Sequence, residues 1–209
     1  LSLNVEPGQG LRDALETPDR IDEVFIDRAM TPENNGLRLL GTEEPLDQVS
    51  VIQGDGVERL LGELRTSADV VAVDMPRMFA LRHASVLAQA TDILLVSDLS
   101  LAGLRDANRM RRQLKQVGGS ARVSLVVNQV RARGGQLDLR DYRRGLQDGL
   151  DFVIPYDGRA VGRSCNEGIP LGQLGPRSKV VAAMRKIVAR VGGETKPARR
   201  SRMISFRNR

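Results

Sequence analysis

The stretch Asp69-Val70-Val71-Ala72-Val73-Asp74-Met75-Pro76 constrains the fold of this chain more than any other. Small and β-branched apolar residues in unbroken succession bury both faces of a strand, as in a parallel sheet with helices on each side. Asp74 then falls just past the strand's carboxyl end, where open α/β sheets bind ligands. Its carboxylate is a hard oxygen donor suited to a divalent cation; the competing reading is that it caps the helix after Pro76.

The pattern recurs along the chain. Apolar runs predict strands at Leu37-Arg38-Leu39-Leu40-Gly41, Ile93-Leu94-Leu95-Val96, Val123-Ser124-Leu125-Val126-Val127-Asn128 and Phe152-Val153-Ile154-Pro155. Helical spacing predicts helices over 11–16, 19–29, 79–89, 101–117, 141–148, 158–167 and 177–191, and one beginning at Asp55 with Val57, Leu60, Leu61 and Leu64 on its inner face. The inward sets elsewhere are Ile21, Val24, Phe25 and Ala29; Leu101, Leu104, Ala107, Met110, Leu114 and Val117; and Val180, Val181, Met184, Ile187, Val188 and Val191. Strand alternating with helix implies an α/β fold, a doubly wound and mostly parallel sheet over residues 1–193. Beyond Gly192-Gly193 the periodicity stops. Residues 196–209 carry six cations and no acid, so 194–209 reads as a basic, disordered tail.

Composition narrows the chemistry. Cys165 is the only cysteine and His83 the only histidine, which excludes an internal disulfide and histidine-rich metal sites and makes a histidine-based triad unfavoured. His83 lies in a predicted helix and reads as structural. No run approaches the roughly 18 to 20 apolar residues of a membrane span, so a cytoplasmic protein is expected. The charge is lopsided: 8 cations against 18 acids up to Leu104, then 24 against 8, within an overall +6. The second half therefore suits an anionic partner: a membrane surface, nucleic acid or an acidic protein face. Only four of the 32 cations are lysines, so an arginine-rich composition is the competing explanation.

Three strand ends, Asp74-Met75-Pro76, Val127-Asn128-Gln129 and Ile154-Pro155-Tyr156-Asp157, line up at one sheet edge and make a site for a purine nucleotide. Asn128 presents both donor and acceptor to a base edge. With Gly36-Leu37-Arg38-Leu39-Leu40-Gly41, Ser100-Leu101-Ala102-Gly103-Leu104-Arg105-Asp106-Ala107 and Asn166-Glu167-Gly168-Ile169-Pro170-Leu171, these segments, in order, make the chain resemble the MinD/ParA family of P-loop ATPases (SIMIBI type), and most closely CpaE-like proteins of Flp/Tad pilus assembly. The resemblance implies that Asp74 contacts Mg²⁺ through water, Asn128 contacts adenine, and Pro155 and Asp157 lie beside the base. It implies a partner or dimer surface at Arg105 and Asp106. It also implies an ATP-driven homodimer that docks on pilus secretion proteins, at the inner membrane face or the cell pole. Weak anionic-membrane or DNA contact through the basic half, or a non-catalytic interaction module, are the alternatives.

The family's Gly-Lys-Thr or Gly-Lys-Ser loop would cradle the phosphates. None of Lys115, Lys179, Lys186 and Lys196 follows a glycine or precedes Ser or Thr. The expectation from this is an N-terminally truncated member, a fragment without the phosphate loop that neither binds Mg·ATP tightly nor hydrolyses it.

Overall fold

The computed structural model describes residues 8–32, 36–42, 54–117, 119–131 and 137–192. The predicted tail and most of the basic loop 131–135 lie outside them. At the N-terminal end, α1 (Gly10–Glu16), a 3₁₀ turn (Pro18–Arg20) and α2 (Glu23–Ala29) fold onto α3 (Gly54–Ser67). Asp22 starts α2 by accepting the Phe25 N–H at 2.7 Å. Ala14, Ile21, Ile26, Leu60 and Leu64 form a buried core of their own. A Cβ on Gly10 would lie 2.6 Å from the Ala29 carbonyl oxygen, so only glycine lets α1 and α2 approach this closely. β1 (Thr31–Pro32) pairs antiparallel with β2 (Arg38–Leu39), and Arg38 bonds Asp27 and the Ser67 carbonyl. The expectation of truncation is corrected to this extent: the described residues 8–32 are ordered, because their helices bury apolar side chains against α3. Val24, predicted inward, is exposed, and Ile26 is buried there.

The run 69–76 belongs to no strand ladder among the described residues. Val71 and Met75 pack inward against Val57, Leu61 and Val86, while Val70 and Val73 face solvent. The predicted helix 79–89 is two helices, α4 (Arg77–Arg82) and α5 (Ala84–Ala88), broken at His83 with φ −120° and ψ 65°. The His83 ring stacks on Phe79 at 4.1 Å and sits against Gly54.

The central sheet follows. β3 (Asp92–Ser97), α6 (Leu101–Val117), β4 (Arg122–Val130), α7 (Leu139–Gly145) and β5 (Phe152–Pro155) alternate, and α8 (Gly158–Glu167), α9 (Leu171–Leu174) and α10 (Lys179–Val191) close the described chain. The strands are parallel in the order β3-β4-β5. Leu104, Ala107 and Tyr142 of α6 and α7 cover Leu125 and Val127 on one face. Val180 and Ile187 of α10 cover Val126 and Ile154 on the other. The sheet is therefore parallel and wound on both faces, as predicted. β3 is an edge among the described residues. Its Leu94 and Val96, in register with Ser124 and Val126, are exposed, as are Leu101, Met184 and Val188, which the spacing had placed inward. Arg111, outside the predicted inward set of α6, is also buried. It donates to the Asp148 and Gly149 carbonyls and to the Asp151 carboxylate, pinning α6 to the chain entering β5. No described helix is long and apolar enough to cross a membrane.

Candidate functional site

The carboxyl ends of β4 and β5 are locked together. The β4–β5 register shifts between Val127 and Val130, and within that irregularity Gln129 has φ 55°. It is the one non-glycine residue with positive φ among those described, a conformation that costs about 1–3 kcal/mol and concentrates at functional sites. The Asn128 Oδ1 accepts the Gln129 N–H at 2.8 Å and so fixes the side chain of this half-buried residue. An amide oxygen has a second lone pair and Nδ2 carries two N–H groups, so Asn128 can still meet the donor and acceptor of a purine edge. Beside it, Val130 pairs with Pro155, and the Tyr156 N–H donates to the Val130 carbonyl at 2.9 Å.

Asp157 begins α8 by accepting the Ala160 N–H at 3.0 Å. Its carboxylate is thus engaged in capping the helix at the edge of the site. The Arg131 guanidinium lies over the Tyr156 ring, 4.2 Å from its centroid. A Cβ on Gly158 would approach the ring's Cζ to 2.8 Å, so glycine is what lets the ring lie across the first turn of α8. The structure places Asn128 in the β4 irregularity, Pro155 at the end of β5 and Asp157 at the start of α8. It adds Gln129, Arg131 and Tyr156. A tyrosine next to a strand-ending proline, in a chain with two tyrosines, was the available sequence signal for the last; nothing in a glutamine announces a positive φ.

Asp74 stands apart from this cluster. It is exposed and makes no hydrogen bond or ion pair with any described residue, and α4 begins at Pro76 with no side-chain cap, which removes the capping alternative. Its neighbourhood is tied to the same end of the sheet: Arg77 pairs with Asp106 in the first half of α6, the helix that β3 leads into. No described group of three or more acids, histidines or cysteines could hold a metal alone. One free carboxylate suits Mg²⁺ only as the cation arrives with phosphate and water ligands, which is how this ion is usually held. Arg105 is exposed and has no partner among the described residues; Asp106 is shared between Arg77 and, at 3.8 Å, Arg109.

The fold is that of MinD/ParA-type P-loop ATPases, by the solved structures it superposes on. A ParA-family ATPase from Chlorobium tepidum superposes with a TM-score of 0.74 at 18% identity, covering 88% of this chain and 75% of that one. The septum site-determining protein MinD from Pyrococcus horikoshii, solved with Mg-ADP, gives 0.70 at 20% identity over 90% and 74%. In sequence, the septum site-determining protein MinD of Bacillus subtilis is 24% identical over 165 residues, 77% of this chain and 60% of the relative. The MinD of Synechocystis is 25% identical over 182 residues, 84% and 67%. The chain thus spans three fifths to two thirds of the length of these curated relatives. No family profile matches it.

Two expectations are corrected here. These relatives are MinD and ParA proteins, and none of these findings supports the narrower CpaE-like, Flp/Tad pilus assignment. Catalytic incompetence argued from truncation also finds no support, since residues 8–32 are folded against α3, although the sequence holds no Gly-Lys-Thr or Gly-Lys-Ser.

Proposed function

We propose that this chain acts as a MinD/ParA-like nucleotide-binding ATPase, with the purine base held where β4 and β5 end. The observation that carries the reading is Asn128, fixed by its bond to Gln129 and keeping a donor and an acceptor for a base edge. Pro155 and the Asp157 cap set the wall beside the base, and Asp74 meets Mg²⁺ through a water. The Mg-ADP bound by the Pyrococcus horikoshii relative supports the choice of ligand. The test is phosphate release from ATP by the purified chain with and without Mg²⁺, beside an Asp74→Asn variant. The reading expects Mg²⁺-dependent release that the variant loses; no release, or release indifferent to both Mg²⁺ and the variant, sinks it.

A second surface has its own observation. Arg105, Arg109 and Arg112 stand one above another on α6, all exposed, and neither Arg105 nor Arg112 has a partner among the described residues. We infer that this face, with Asp106 at its flank, meets an anionic partner. Duplex DNA is the probe: affinity should fall steeply as salt rises, because released counterions drive such binding, and should weaken in Arg105→Glu. Undetectable binding at low salt removes the nucleic-acid form of the reading.

A further inference from the structure

We propose that the Tyr156 ring is the stacking shelf for the base, and that Arg131 is a cover the base displaces. The inference rests on the nucleotide reading above and adds to it how the base is held and what controls access. The ring is half exposed at the sheet's carboxyl end, beside the Asn128 bulge. It is held in place from two directions. Its backbone N–H is bonded to Val130, and its phenol end lies over Gly158, where any side chain would collide with it. A flat aromatic surface pinned in this way gives up little freedom on binding a second flat surface.

The face that such a surface would use carries the Arg131 guanidinium, 4.2 Å from the centroid. Magnitudes decide which group keeps the ring. Stacking of a nucleobase on an aromatic side chain favours binding by roughly fivefold to a hundredfold. A cation over an exposed ring contributes roughly two- to fivefold. Against the ring contact alone the base has the stronger hold, and that contact lowers apparent affinity by the factor it contributes. A purine, with two fused rings, covers more of the phenol than a pyrimidine does. The shelf thus favours adenosine over uridine, in the same sense as the Asn128 edge contact.

The experiment uses the full chain and nucleosides, which lack phosphates, so the charge of Arg131 does not enter. Adenosine is titrated while the aromatic resonances are followed by NMR. The chain has two tyrosines and no tryptophan, and Tyr142 is fully buried, so the two rings separate. The proposal expects the Tyr156 ring protons to move upfield with Tyr142 unmoved. It expects Tyr156→Leu to weaken adenosine at least fivefold, Tyr156→Phe to bind like the unaltered chain, and Arg131→Ala to tighten adenosine two- to fivefold. If Asn128→Ala weakens adenosine while Tyr156→Leu does not, the shelf is overturned and the base site at the strand ends stands. Weaker adenosine binding in Arg131→Ala overturns the cover. No adenosine or ATP binding by the unaltered chain overturns the shelf and the nucleotide reading together.

Discussion

Two buried side chains show how single residues hold the sheet and its helices together. Arg111 has its guanidinium inside the protein and bonds two carbonyls and the Asp151 carboxylate, which also accepts the Leu125 N–H. Removing it strands three acceptors, and Arg111→Ala should cost about 3 kcal/mol, at the lower end for a broken buried pair because Asp151 keeps some access to water. Urea unfolding of the variant measures this. Tyr142 is wholly enclosed, with its hydroxyl 3.1 Å from the Ser97 Oγ, and burial raises its pKa above the usual 10.0. A raised pKa in the folded state gives stability that is complete below the unfolded value and lost as pH climbs through the folded one. The chain should therefore lose stability above about pH 10, and Tyr142→Phe should flatten that loss. Tyrosinate absorbance in a Tyr156→Phe background, followed beside unfolding, reads the two together. The helical spacing left Arg111 out of the inward set, because a cation among four others on a helix gives no sign of which one meets carbonyls from a loop 37 residues on.

At the scale of elements, local signals were read well where one force dominates. α8 begins and ends at its predicted residues, since Asp157 caps it and Gly168, at φ 63°, ends it in the left-handed conformation. The inner face of α3 is the predicted Val57, Leu60, Leu61 and Leu64. Tertiary context overrode the pattern elsewhere. Residues 70–74 are as apolar as β4, but a run of small apolar residues specifies an extended chain without specifying a ladder partner. The ends of α6 illustrate a competition that propensity would misjudge. Ser100 accepts the Gly103 N–H and donates to Asp98, and a Cβ on Gly103 would lie 2.7 Å from the Asp98 carbonyl oxygen. Alanine gains up to about 1 kcal/mol in helix propensity, whereas crowding a fixed backbone costs about 1–3 kcal/mol. Gly103→Ala should thus lower the melting temperature. A higher one would mean that the Asp98–Ser100 turn yields easily.

For the molecule as a whole, the sheet's two flanks are treated differently. β5 is overlaid by α10, whereas β3 presents exposed Leu94 and Val96 and no second strand among the described residues. Edges of this kind pair with other chains unless a charge or proline blocks them, and none of residues 93–97 is either. Val96→Lys should accordingly reduce concentration-dependent self-association, measured by light scattering, with little change in unfolding. The α/β class and the parallel sheet were legible in the sequence because buried apolar runs alternate with amphipathic helices. The Tyr156–Arg131 pair was not, since it depends on a bulge, a glycine and a guanidinium that meet only in the folded chain. The central claim, that a nucleotide sits at these strand ends, is tested most directly by equilibrium titration of ATP with Mg²⁺ into the purified chain and into Asn128→Ala. The account predicts saturable binding, one nucleotide per chain, weakened about tenfold in the variant by the loss of two hydrogen bonds. Binding that does not saturate, or that is equal in the two proteins, would contradict it.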